Sequence, residues 1–184
     1  GLIRKITQET RYKFLNFFTM DVTHKSGRES KYYVASRARE VDQMKAVTHK
    51  NTVDEVIIYS VYGENRDQVV LSRQYRYPID GYIYEFPAGL VEQGEDFKEA
   101  GVRELKEETG IDVDEQSLFL MYHYRDDERH CIYYAFRAEI TVDTAVHLQL
   151  GETMDSQFLH EGELVKLIES DRFVPSEQGR FTLF

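Results

Sequence analysis

Short runs of aromatic and β-branched residues, broken by polar turn sequences, recur along the chain and predict a sheet-rich fold. YKFLNFFTMDV (12–22) and SKYYVASRA (30–38) flank KSGRE and read as a hairpin. TVDEVIIYSVY (52–62) and QVVLSRQYRY (68–77) flank GENRD and form a second. PIDG then turns the chain into YIYEF (82–86), and SLFLMYHYR (117–125) and HCIYYAFRAEI (130–140) flank DDER as a third hairpin. A short strand near SQFLH (156–160) leads into a helix, EGELVKLIES (161–170), whose apolar stripe is Leu164, Val165, Leu167 and Ile168. No internal repeat is visible. A seam is expected near AREVDQMKA (38–46), dividing a small N-terminal β subdomain (1–45) from the main domain (46–184).

One segment has helical rather than strand character. Asp96 followed by Glu99 has the spacing of a capping box, and Gly110 stands where a left-handed C-terminal cap belongs, which predicts a helix over about 97–109. Within it, RELKEETG (103–110) places Glu104, Glu107 and Glu108 on one side at 100° per residue. Like charges at that spacing destabilise an isolated helix by roughly 0.2–0.5 kcal/mol per pair. Ala100 and Gly101 lie on the same side, where other atoms can approach closely; Val102, Leu105 and Thr109 form the core-facing side; Arg103 is one turn from both Glu99 and Glu107 and can pair with either. A solvated acidic face explains the charges but not the small residues beside them. A hard divalent cation, Mg²⁺ or Mn²⁺, explains both, because such ions favour carboxylate oxygens. From spacing alone the two readings stand side by side.

Composition narrows the function classes. A length of 184 residues suits one domain with an added subdomain, and 13 Tyr and 11 Phe supply ample core material. The net charge of −10 argues against nucleic acid or an anionic membrane as partner. A small anionic substrate remains compatible with that charge, provided local cations receive it. No apolar run approaches the roughly 18 residues of a membrane span, and GLIRKITQET has no apolar stretch of the signal-peptide kind. The single Cys131 excludes an intrachain disulfide and lies in an apolar run, so a buried structural thiol and a cytoplasmic location are expected.

From Gly89 to Ile111 the chain reads GLVEQGEDFKEAGVRELKEETGI. Gly89, Glu95, Arg103, Glu104, Glu107, Glu108 and Gly110, with aliphatic Leu105 and Ile111, match every fixed position of the Nudix box. Chance would produce the fixed residues on the order of once in 10⁸ windows, at roughly one in fifteen per position. The chain therefore resembles the Nudix hydrolases, which cleave nucleoside diphosphates linked to another moiety. The resemblance implies an α/β fold, a Nudix α/β/α sandwich with a mixed sheet, here with an N-terminal antiparallel β subdomain. It implies Glu104 and Glu108 as the main metal ligands, Glu107 beside them, and the Ala88 carbonyl as a further ligand. Arg103 would orient a glutamate through a charge-assisted hydrogen bond, and Glu95 and Gly89 would shape the loop and the helix start.

RQYRYP (73–78) and YEFPAGLVEQGE (84–95) resemble the ADP-ribose pyrophosphatase and nucleoside-diphosphate-sugar branch. That likeness implies substrate-binding roles for Arg76, toward a diphosphate or purine, and for Glu85, toward the sugar or a metal-bound water. It also implies a homodimer built by residues 1–45, in which a two-fold partner covers aromatics that one hairpin cannot bury. The chain departs from the branch in two places. No proline occurs between Pro87 and Pro175, where RDDERH (125–130) stands instead, and the late acidic loop reads LGETMDSQF (150–158). In that loop Glu152 is the best match for a catalytic base and Asp155 the second, with Glu107 as a box alternative. The expected reaction is metal-dependent hydrolysis of the pyrophosphate bond of ADP-ribose or a related nucleoside diphosphate sugar, with water as nucleophile. The alternatives are another nucleotide sugar or dinucleotide, such as GDP-mannose, or a non-catalytic nucleotide-sensing domain.

Overall fold

The structure, a computed structural model, describes residues 1–126, 131–140, 154–170 and 172. It divides into two compact units, one of residues 1–52 with 124–132 and the other of 53–123 with the remaining C-terminal residues.

The first unit is built on an antiparallel sheet of β1 (Leu2–Gln8), β2 (Asn16–Thr23) and β3 (Glu29–Ser36), in that order. β2 and β3 are the expected hairpin, closed by a turn with Gly27 at φ 80. β1 is an addition, and β2 begins at Asn16 rather than Tyr12. The buried Asn16 side chain sets that start: its Oδ1 accepts from Tyr12 N (2.6 Å), and its Nδ2 donates to the carbonyls of Tyr12 and Ala38. One sheet face buries Phe18, Met20 and Val34 against Met44, next to the short helix α1 (Lys45–Thr48). Phe17 and Tyr33 lie on the opposite face by strand alternation and are 50% and 75% exposed.

The second unit holds most of a seven-stranded mixed sheet. β4 (Glu55–Tyr62) runs antiparallel to β5 (Gln68–Arg76) and parallel to β9 (Cys131–Ile140), and β10 (Met154–His160), β5, β4, β9 and β8 (Leu118–Asp126) follow one another across it. β6 (Gly81–Glu85) pairs with β5, and β7 (Ala88–Leu90) with β4. β4 and β5 pair only next to their turn, at Val61–Val69 and Tyr62–Gln68, so the hairpin splays and β7 takes up the other end of β4. α2 (Phe97–Thr109) lies against β4, β5, β7 and β10, and α3 (Glu161–Ile168) against β10 and β5. Val56, Ile58, Val70, Ala100, Leu105, Ile111, Leu118 and Phe136 share one core under α2. Residues 127–129 of the DDER turn lie outside the described residues, as does the Cys131 side chain. No helix among the described residues is long and apolar enough to cross a membrane.

α2 spans the expected residues for the expected reasons. Asp96 accepts from Lys98 N (2.9 Å), Glu99 accepts from Asp96 N (3.0 Å), and Gly110 closes the helix at φ 73. Two details differ from the sequence reading. Glu99 is spent on the capping box and does not pair with Arg103. Gly101 does not open space for a ligand; it faces Leu118, Phe136 and Ile58, and a Cβ there would lie 2.9 Å from Leu118 Cδ1. The acidic side of α2 is therefore continuous with its buried side.

Candidate active site

That continuity separates the three glutamates of α2 by burial. The Glu107 side chain is 61% exposed and the Glu104 side chain 14%. Glu108 points toward the sheet, where its Oε2 accepts from Ser72 Oγ (3.2 Å) and from Ala88 N (3.3 Å). Ala88 is free to donate there because its neighbours carry the β7–β4 ladder: Ile58 N bonds the Pro87 carbonyl, and Val56 pairs with Gly89. In an antiparallel pair, alternate residues turn their N–H and C=O away from the partner strand. The Ala88 carbonyl thus lies on the same edge as its N–H, next to Glu108.

Arg103 organises the loop side of the site. Its Nε and Nη2 donate to Glu95 Oε1 and Oε2 (2.8 and 2.9 Å) as a two-pronged fork. Nη2 also donates to the Leu90 carbonyl (2.8 Å), and Nη1 to Glu104 (2.7 Å) and Glu107 (3.3 Å). Glu95 also accepts from Glu92 N, tying the loop to the helix start. Arg103 holds the Glu95 carboxyl below the usual carboxylate range. The reverse holds for Glu104. Burial pushes its pKa up, and the adjacent guanidinium only partly offsets that.

Among the described residues Glu108 has the carboxyl pushed furthest from its ordinary range. Burial first, then the nearby Glu85 and Glu104 charges, push its pKa up to about 8 against the donors Ala88 N and Ser72 Oγ. Glu85 is 8% exposed and pairs with Arg76, whose Nη2 reaches both carboxylate oxygens at 2.8 Å. Gly89 explains how the loop fits. A Cβ there would stand 2.0 Å from Glu104 Cδ and 2.2 Å from each of its oxygens.

The structure thus brings Arg76, Glu85, Ala88, Arg103, Glu104 and Glu108 together along the middle and C-terminal turns of α2, with Glu107 at the solvent edge. Among the described residues no three His, Cys, Asp or Glu side chains are set to hold a single ion, and Glu104 is turned to Arg103. Glu152 lies outside the described residues. Asp155 takes both Arg73 nitrogens, Nε (3.1 Å) and Nη2 (2.8 Å), and Arg73 lies over the Tyr82 ring. Its neighbour Ser156 points to α2, so Asp155 occupies the opposite face of the sheet. The sequence reading missed Ser72 and Ser156. No local signal marks them, because their importance comes from the β5–β10 register.

The sequence profile of the NUDIX domain matches residues 51–178. An ADP-ribose pyrophosphatase of Saccharomyces cerevisiae is 52% identical over 44 residues, 24% of this chain and 19% of that protein. An ADP-sugar pyrophosphatase of Mus musculus is 38% identical over 77 residues, 40% of this chain and 35% of that protein. The matches thus span about a fifth to a third of the length of these two relatives. The crystal structure of an ADP compounds hydrolase superposes with a TM-score of 0.70 over 96% of this chain and 87% of its own, at 18% identity, which is a likeness of fold.

Proposed function

This chain belongs to the Nudix family, and we propose that it hydrolyses the pyrophosphate bond of ADP-ribose or a related nucleoside diphosphate sugar, using Mg²⁺ or Mn²⁺. The products are a nucleoside monophosphate and a sugar phosphate. The observation that carries this reading is Glu108, largely buried beside the Glu85 and Glu104 carboxylates and held near pKa 8. A buried acid pressed by two others is an unfavourable arrangement for the protein alone and a favourable one around a cation. The donor set also fits, since carboxylate and main-chain oxygens are what Mg²⁺ and Mn²⁺ prefer. When bound, such an ion polarises a phosphoryl oxygen, neutralises developing charge and lowers the pKa of water.

The protein's own groups then divide the work. Glu104, Glu108 and the Ala88 carbonyl are the proposed ligands, with Glu107 at the solvent edge. Arg103 holds Glu104 and the loop in place. Arg76, half exposed while its partner Glu85 is buried, is placed to turn its free nitrogens to a diphosphate. Water forms the new P–O bond, the bridging P–O bond breaks, and Glu152 takes the proton. Removing a general base acts on turnover. Glu152→Gln is therefore expected to lower kcat far more than it raises KM. Asp155→Asn, on the other face of the sheet, should leave kcat within about threefold and act on stability, since a partly exposed ion pair contributes roughly 0–1 kcal/mol. Steady-state kinetics of both variants check this, and the assignment moves to Asp155 if Asp155→Asn is the inactive one.

The test of the function is a panel of nucleotide substrates with Mg²⁺ and Mn²⁺, products identified by mass. ADP-ribose should yield AMP and ribose 5-phosphate. Turnover only of another nucleotide sugar or of a dinucleotide would move the substrate, and binding without turnover would make the domain a sensor. We also assign the exposed Phe17 and Tyr33 face of the first unit to a two-fold partner, a homodimer in a cytoplasmic setting, with neither nucleic acid nor membrane as partner. Light scattering should give twice the chain mass at micromolar concentration; a monomer with full activity removes that assignment.

A further inference from the structure

Ser156, Ser72 and Glu85 form a row across three adjacent strands. Ser156 pairs with Ser72 in the β10–β5 register, and Ser72 pairs with Glu85 in the β5–β6 register. Directly opposed residues share a sheet face, and here that face lies beneath the C-terminal end of α2. Ser72 is 0% exposed and Ser156 5%. A buried hydroxyl needs a partner, and both find theirs on the same residue of the helix. Ser72 Oγ donates to Glu108 Oε2 (3.2 Å), and Ser156 Oγ donates to the Glu108 main-chain carbonyl (2.7 Å). That carbonyl is one of the last four of α2, which have no partner within a helix.

The two serines therefore grip Glu108 at both ends. Ser156 sets where the helix backbone stands above the sheet. Ser72 acts together with Ala88 N, and both address Oε2, so Oε1 receives neither donor. We infer that Ser72 is a positioning residue for the metal site: its hydroxyl fixes the Glu108 carboxylate by one oxygen so that the other faces the cation, while Ser156 anchors the main chain beneath it. This rests on the proposed role of Glu108 as a ligand. Groups that orient metal ligands in this way typically contribute about 10–100-fold in metal affinity or activity.

The test measures Mn²⁺ binding to the full chain without substrate, by the electron paramagnetic resonance signal of free Mn²⁺, alongside thermal unfolding. Ser72→Ala should weaken Mn²⁺ binding about tenfold with little change in Tm and a matching fall in kcat. Ser72→Thr keeps the hydroxyl on a β-branched residue suited to a strand and should restore binding to within about threefold. Ser156→Ala should lower Tm and weaken Mn²⁺ binding less than Ser72→Ala. Should Ser72→Ala not fold, Ser72→Cys keeps the shape with a weaker donor and reads the same loss. Wild-type affinity in a folded Ser72→Ala or Ser72→Cys variant, or a folded Ser72→Thr as weak as Ser72→Ala, overturns the inference. The ligand reading beneath it fails differently: there the wild-type chain binds no Mn²⁺, or Glu108→Gln binds it as tightly as wild type.

Discussion

Glu108→Gln should lower kcat by at least about 10²-fold while making the metal-free protein more stable. The first effect follows because cation polarisation supplies several kcal/mol of transition-state stabilisation, and about 1.4 kcal/mol is a factor of ten in rate. The second follows from the environment of the carboxyl. Burial and the Glu85 and Glu104 charges hold its pKa up to about 8. At neutral pH the unfolded chain would ionise this group freely, whereas the folded chain resists ionising it. Glutamine keeps the shape and the acceptor for Ser72 and Ala88 N and removes the charge. The gain should be on the order of 1–3 kcal/mol, since one pKa unit corresponds to roughly 1.4 kcal/mol. A gain of that size raises Tm by several degrees in a chain of this length. Thermal unfolding in EDTA and in Mg²⁺ separates the two states. Wild type should gain stability with Mg²⁺ by mass action; Glu108→Gln should start higher and gain little. Glu107→Gln, at an exposed position, should leave the metal-free Tm unchanged. Near-normal turnover of Glu108→Gln at saturating Mg²⁺ removes the ligand role, and a lower Tm in EDTA removes the burial argument.

The same helix shows what a sequence can and cannot disclose. Its span, capping box and Gly110 cap were legible because each depends on residues a few positions apart. The box was legible because its spacing is fixed by one loop and one helix. The pairings that cross the sheet were not. β1 reads LIRKITQ, with charges at two of seven positions, and becomes a strand only because β2 is there to pair with it. Arg103 had Glu99 and Glu107 within one helical turn, yet its main partner is Glu95, in the loop before the helix, and Glu99 is needed at the cap. Gly101 looked like an opening beside the acids because helical angle alone does not say where the core lies; Leu118 and Phe136 come from strands beyond the helix. Asp155 stood second to Glu152 as a late acid, but strand alternation next to Ser156 turns it to Arg73. In each case the deciding neighbour comes from another element.

Gly89→Ala should abolish most activity at a modest cost in stability. The glycine is in β7 with no positive φ, so alanine meets no backbone strain. What it meets is Glu104. The new Cβ would overlap the carboxylate, at 2.0 Å from Cδ and 2.2 Å from each oxygen. The clash is with the far end of a flexible side chain, so the fold does not have to yield; Glu104 swings away and its contact with Arg103 goes with it. The lost charged hydrogen bond, roughly 1.5–3 kcal/mol at most, is partly offset by the smaller unfolded-state entropy of alanine, about 0.4–1 kcal/mol. A Tm fall of no more than about 10 °C is expected. Displacing a ligand is as damaging as neutralising it, so kcat should fall by at least about 10²-fold. Two comparisons isolate the cause. Gly94 has φ +88 and nothing within 4 Å of its Cβ position, so Gly94→Ala should lose stability and keep turnover. Gly89→Ala combined with Glu104→Gln should be no worse than the poorer single variant, because both remove one interaction and their effects do not add. Additive losses in the double variant would mean that Gly89 serves something other than the place of Glu104.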